Sequence, residues 1–111
     1  MENCLFCKII GGEIPSNKVY EDDAVLAFYD IEPKAPVHVL IIPKEHLAGA
    51  RAITAANSAT VAHIFAVIPL IAEKLGVTDY RIVTNNGTDA GQTVHHLHFH
   101  LLAGRVLGEM G

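Results

Sequence analysis

Four of the seven histidines of this 111-residue chain lie in one short run, His95-His96-Leu97-His98-Phe99-His100. Three of them, His96, His98 and His100, alternate with Leu97, Phe99 and Leu101. Alternation with period two is a strand signature, because successive side chains point to opposite faces. One face would carry three imidazoles and the other an apolar stripe for the core. Imidazole titrates near neutrality, attacks electrophilic phosphorus and binds metals. His98, at the centre, is the candidate nucleophile. Asn85, Gln92 and Thr93 lie in the loop before it and could supply amides, a hydroxyl and backbone N–H groups to a developing oxyanion. A metal site built on the same three imidazoles is the competing reading. His38 opens an apolar strand and could reach the same pocket to orient the nucleophile.

The only two cysteines form Cys4-x-x-Cys7. Two thiolates at this spacing can grip one Zn²⁺, which needs two further ligands for its tetrahedral shell. His46, in a loop after a strand, and His96, at the start of the histidine run, would complete a closed and hence structural site. Spacing alone does not select them over His63 or His95. A redox dithiol is the other use of such a pair. The Asp22-Asp23 pair reads as a turn. Gly11-Gly12 lacks the Gly-Lys-Ser/Thr that a phosphate loop requires.

The elements that must position these groups are short. Cys4 to Ile10 suits a helix, with Asn3 as its N-cap and Gly11-Gly12 as its stop. Lys18–Glu21 and Val25–Tyr29 flank Asp22-Asp23 as a hairpin. His38 to Ile42 is a strand closed by Pro43. Val61, Ile64, Phe65, Ile68, Ile71, Ala72 and Leu75 recur at helical spacing up to Gly76, with a kink or a local break in hydrogen bonding expected at Pro69. Tyr80 to Thr84 is a strand, Asn85 to Gly91 a turn-rich loop, and the histidine run the last strand. Five strands and two helices with short connections predict an α+β fold, an antiparallel sheet with helices packed on it.

Length predicts one domain over residues 1–111. A net charge of −4 argues against a nucleic-acid binder but permits a small anion held by local donors. No apolar run approaches the ~20 residues that span a membrane. No secretory signal is visible, so a cytoplasmic location is expected, with thiolates rather than a disulfide.

The run His96 to Leu102 resembles the His-φ-His-φ-His-φ-φ signature of the histidine triad (HIT) superfamily. The resemblance extends over Phe6 to Ile10, Ile14-Pro15, Tyr20 to Asp22, Leu26 to Ile31, Ala35 to His38, Ile42 to His46 and Asn85 to Thr93. These segments are similar, in order, to the Hint (histidine triad nucleotide-binding) branch. That resemblance implies a five-stranded antiparallel sheet and a homodimer with one ten-stranded sheet. It implies hydrolysis of purine nucleoside phosphoramidates, AMP or GMP conjugates, through a nucleotidyl-histidine on His98. His100 would contact the α-phosphate and His38 would support the nucleophile. Asn85, Gln92 and Thr93 would hold phosphate and leaving group. Asp30 would bind the ribose, and Phe6, Ile9, Phe28 and Ile31 would wall the base pocket. In bacterial members of this kind, zinc sits on residues matching Cys4, Cys7, His46 and His96. Dinucleoside polyphosphate hydrolysis is the alternative within the superfamily. A zinc-stabilised nucleotide-binding or interaction protein with little activity is the alternative outside catalysis. His95 stands where the branch usually has an aromatic residue. The tail from Gly104 lacks the branch's Trp-Pro-Pro-type ending, so substrate preference does not carry over with the resemblance.

Overall fold

In the computed structural model, described for residues 3–110, the elements are helix α1 (Leu5–Ile10), strands β1 (Lys18–Glu21), β2 (Val25–Tyr29) and β3 (Val37–Pro43), helix α2 (Ser58–Leu75), and strands β4 (Tyr80–Val83) and β5 (Phe99–Ala103). Short 3₁₀ turns occupy Ala50–Ala52 and Thr88–Ala90. The strands form one antiparallel sheet in the order β1-β2-β3-β5-β4. This is the expected α+β architecture.

Both faces of the central strands are buried, and the alternation of their side chains separates two cores. Val25, Ala27, Val39, Ile41, Leu97, Phe99 and Leu101 pack with Ile64, Val67, Ile68 and Ile71 of α2. Leu26, Phe28, Leu40 and Ile42 face the other way and pack with Phe6 and Ile9 of α1. Strands buried on both sides read as continuous apolar runs, as Val25 to Phe28 and Val39 to Ile42 do. The β1–β2 turn is closed by Asp22, whose Oδ1 accepts the N–H groups of Ala24 and Val25 at 2.8 Å.

Two expectations change, and that for Pro69 is met within an intact helix. The α1 cap is Cys4, not Asn3: its Sγ accepts the Cys7 N–H at 3.3 Å. Pro69 breaks the hydrogen bonding locally, as expected, without ending α2, which runs on to a left-handed Gly76. Pro69 and Phe65, whose carbonyl loses its bond, are both exposed, so the loss falls on the solvent side. Regular pairing of the histidine strand begins only at Phe99. Phe99 pairs with Ile41 and His100 with Val83, so the chain before them runs past Pro43, which has no N–H, and past the end of β4. There Leu97 donates to the Leu47 carbonyl at 2.6 Å, and the Thr84 hydroxyl donates to the His98 carbonyl at 2.7 Å. Val94, His95 and His96 form a bend, yet Leu97 still enters the α2 core while His96 and His98 pack against Phe6 on the other side. By length and composition alone α2, at 18 residues, is just apolar enough to pass for a membrane span, a property that core helices share. Here one of its faces is packed on the sheet.

Candidate functional site

On the α1 face of the sheet lies a cavity of about 720 Å³. Leu40 pairs with His100 and Leu102 with His38 across β3 and β5, which sets His38 and His100 side by side on that face. His98 lies two residues before His100 and joins them at the cavity wall. Phe6, Ile9 and Phe28 cluster as its apolar lining, and Asp30 lines it beside His38. Asn85, Gly91 and Thr93 also line it.

The protein sets the protonation of each imidazole through its fixed partners. His98 Nδ1 lies 2.7 Å from the His96 carbonyl oxygen. A carbonyl only accepts, so Nδ1 carries the proton and Nε2 carries the lone pair. The Lys34 N–H donates to His38 Nδ1 at 3.0 Å, so the neutral His38 ring carries its proton on Nε2. That proton is donated to His100 Nδ1 at 2.9 Å, with Asp30 Oδ2 3.5 Å away. His100 must therefore hold its own proton on Nε2. The result is two adjacent rings of opposite polarity: His98 offers a lone pair and His100 an N–H. Among the described residues no buried side-chain nitrogen is left without a partner, and neither Nε2 has one in the protein. Both atoms are thus accessible.

Burial holds all three rings neutral. It lowers the pKa of His98, against the opposing pull of the His96 carbonyl and Asp30. It lowers His38 likewise. His100 is pushed down to about 4, by burial and then by its neighbours His98 and His38.

A second cluster lies at the N-terminus of α1. Sulfur and nitrogen atoms of Cys4, Cys7, His46 and His96 lie within 4.8 Å of one another. His96 Nδ1 is 3.4 Å from Cys4 Sγ, 3.6 Å from Cys7 Sγ and 3.1 Å from His46 Nδ1, and Cys7 Sγ is 3.3 Å from His46 Nδ1. Metal–ligand bonds of zinc at tetrahedral angles give ligand–ligand edges of about 3.3–3.8 Å. His96 is fully buried, and its Nε2 donates to the Pro43 carbonyl at 2.8 Å. That leaves the Nδ1 lone pair aimed into the cluster, the arrangement that orients a metal-bound histidine. The donor set and its spacing fit a tetrahedral Zn²⁺.

Asp30, His38 and His100 also come close enough to suggest a metal site. Their hydrogen bonds argue against it. Lys34 occupies His38 Nδ1, so the proton stays on Nε2, the atom that would have to ligate. The same test that supports metal at His96 rejects it here.

The other candidates separate cleanly. His63 pairs with Asp22 Oδ2 at 2.7 Å on the surface. His95 is exposed. Ile31, expected in the base pocket wall, is 92% exposed at the cavity mouth. Gln92, expected to hold phosphate or leaving group, does not line the cavity. Its buried amide accepts the Gly87 N–H at 2.8 Å and donates to the carbonyls of Ala48 at 2.7 Å and Val94 at 3.1 Å. It shapes the loop that carries Asn85 and Thr93. Sequence reasoning missed Leu5, Ile14, Pro15, Ser16 and Lys34 as lining residues. Ile14-Pro15 was visible as a motif, but nothing local said which cavity it borders.

Residues 11–107 match the family model of the HIT domain. A HIT-like protein of Synechococcus elongatus is 50% identical over 107 residues, 96% of this chain and 94% of that protein. The purine nucleoside phosphoramidase of Escherichia coli is 43% identical over 111 residues, 98% of this chain and 93% of that protein. A HIT family hydrolase from Clostridium thermocellum superposes with a TM-score of 0.96 at 51% identity, over 99% of this chain and 97% of that one. With its histidine run, its sheet and these relatives in agreement, the chain belongs to the HIT family.

Proposed function

We propose that this chain is a nucleotide hydrolase that cleaves purine nucleoside phosphoramidates through a covalent intermediate on His98. The observation that carries the reading is the opposed polarity of His98 and His100 on one cavity wall. The phosphoramidase activity named for the Escherichia coli relative supports the same choice.

The neutral His98 Nε2 attacks the α-phosphorus. An Nε2–P bond forms and the P–N bond to the leaving amine breaks. The amine departs with one proton taken from solvent. The imidazolium left on His98 keeps its Nδ1–H on the His96 carbonyl, which stabilises the positive charge. The His100 Nε2–H donates to a phosphate oxygen as negative charge grows, and His38 keeps His100 in that tautomer. Water then attacks the phosphorus and breaks the Nε2–P bond. It releases a nucleoside monophosphate, regenerates neutral His98 and returns the proton used in the first step. Asn85 and Thr93 supply further phosphate donors, Asp30 accepts from ribose hydroxyls, and Phe6, Ile9 and Phe28 hold the base. Zinc on Cys4, Cys7, His46 and His96 supplies structure, and no chemical step passes through it. We treat residues 1–111 as one HIT domain.

The test is a panel of adenosine phosphoramidate, guanosine phosphoramidate and diadenosine polyphosphate, read as monophosphate released. The phosphoramidates turn over with kcat/KM at least about tenfold above the dinucleotide, a difference of ~1.4 kcal/mol in transition-state stabilisation. The reverse order would replace this reading with dinucleotide hydrolysis. Monophosphate binding without turnover of any substrate would leave a binding protein.

The same proposal includes a homodimer. Among the described residues β4 is hydrogen-bonded on one side only, to β5. The outer side of α2 exposes Ala62, Phe65, Ala66, Pro69 and Leu70, with Phe65 49% and Leu70 55% exposed. An open strand edge and an apolar helix face both favour association. Joining two β4 edges gives one ten-stranded sheet. Light scattering is expected to give the mass of two chains for the wild type and of one chain for Leu70→Asp. A wild type that stays monomeric at micromolar concentration rejects the dimer.

A further inference from the structure

We infer that a metal ion on Cys4, Cys7, His46 and His96 and a purine nucleotide in the cavity bind cooperatively, with Phe6 as the positioning residue that couples them. The inference rests on the nucleotide reading of that cavity.

Phe6 lies between the two sites. Its ring meets His98 edge-on at 5.1 Å between centroids, and meets His96 at 5.9 Å and Phe28 at 5.7 Å. It thus touches the proposed nucleophile, a proposed metal ligand and a wall of the base pocket. In sequence it lies between Cys4 and Cys7, next to the second thiol.

The helix carrying it has little stability of its own. α1 has six residues, far short of the roughly 12–15 at which an isolated helix becomes even marginal. Its position comes from outside. At its start are the two thiols, one of them its own cap. On its inner face Phe6 and Ile9 rest on Leu26, Phe28, Leu40 and Ile42. A metal that fixes Cys4 and Cys7 therefore fixes Phe6. A base packed on Phe6 and Ile9 fixes the same turn of helix from the other side. Whichever ligand binds first carries the ordering cost, and the second binds an already ordered helix. A backbone link runs in parallel: the His96 carbonyl, in the residue that would hold metal, accepts the Nδ1 proton of His98.

Linkage makes the effect reciprocal, so it can be read from either site. AMP is titrated calorimetrically into zinc-loaded and metal-free protein, with circular dichroism recording whether the metal-free form is folded. AMP is expected to bind the zinc form about tenfold more tightly, within the range usual for coupled sites. Chelator competition on the loaded protein should show zinc held more tightly by the same factor when AMP is saturating. Phe6→Leu keeps an apolar side chain and all four metal ligands, and should bring both ratios to within about twofold. With Co²⁺ in place of zinc, AMP should shift the visible absorption of the wild type but not of Phe6→Leu.

Equal zinc retention with and without AMP overturns the coupling while leaving AMP binding, and so the nucleotide reading, intact. That arm needs only the loaded protein, so it decides the matter even if the metal-free form unfolds. An undiminished ratio in Phe6→Leu overturns the role of Phe6. Failure of AMP to bind the zinc-loaded protein overturns the nucleotide reading, and the coupling with it.

Discussion

His98→Ala is expected to reduce turnover of adenosine phosphoramidate at least about a thousandfold, as loss of a covalent nucleophile does in other hydrolases. AMP should bind the variant within about tenfold of the wild type, because one lost polar contact is worth about 1 kcal/mol. The base and ribose contacts proposed for Phe6, Ile9, Phe28 and Asp30 are untouched by the change. The separation of kcat from binding is the informative result. A variant that still turns over at a tenth of the wild-type rate would show that the nucleophile lies elsewhere. His98 is 5% exposed and its ring packs against Phe6, so the substitution opens space beside the base pocket. His98→Asn, which keeps a polar side chain at that position, should be equally inactive and separates lost chemistry from lost packing.

The acid limb of the wild-type profile follows from the same geometry. Attack needs His98 neutral. Burial lowers its pKa, and His100 is pushed down to about 4. A depressed pKa keeps the neutral form populated at lower pH. The profile of kcat/KM, which reports the free enzyme, should therefore stay level as pH falls past the ordinary imidazole value near ~6.5, and decline only below it. A decline centred above ~6.5 would mean that the nucleophile's environment favours the charged ring.

The readable parts of the chain were those decided by near neighbours. β1 and β2 fall where the hairpin pattern put them, because Asp22 closes their turn with its own side chain. The two faces of the histidine run were readable from alternation: Leu97, Phe99 and Leu101 enter one core, while His96 and His98 pack against Phe6 on the other side. The start of β5 was not readable. It depends on where Pro43 and Val83 end, which are distant strands meeting only in the fold. Gln92 was misassigned for the same reason: an amide in a phosphate-like loop looks free until Ala48 is brought beside it. The cysteine pair was plain in sequence, but its histidine partners became distinct only when His63 was found on Asp22 and His95 on the surface. Most hidden of all were the carbonyls of His96 and Pro43 and the N–H of Lys34. Every residue has such groups, and no residue type marks the ones that set a tautomer.

Removing zinc is expected to lower the thermal midpoint by about 10–20 °C, the equivalent of on the order of 3 kcal/mol for a domain of this size. Two features set that magnitude. The first is the cluster itself. His96 is fully buried, its Nε2 proton is committed to Pro43, and its Nδ1 lies 3.1 Å from His46 Nδ1. Without a cation, two lone pairs cannot face each other at that distance. His46 must present a proton or the rings must part, and two thiols must find other partners. The second feature limits the loss. The sheet and α2 have their own core of Val39, Ile41, Ile64, Val67, Ile71 and Leu101, none of which touches the cluster through α1. Metal loss should therefore loosen α1 and its contacts without unfolding the whole chain. The effect stays well short of the ~10–16 kcal/mol by which zinc folds a zinc finger. Protein purified without added metal should carry about one equivalent of zinc, and Cys4→Ser/Cys7→Ser should carry none. Calorimetric scans should give the same lowered midpoint for chelated wild type and for the double variant, and adding zinc should restore only the wild type. A midpoint unmoved by chelation, in protein shown to have held zinc beforehand, would mean that the apolar contacts of Phe6 and Ile9 hold α1 unaided.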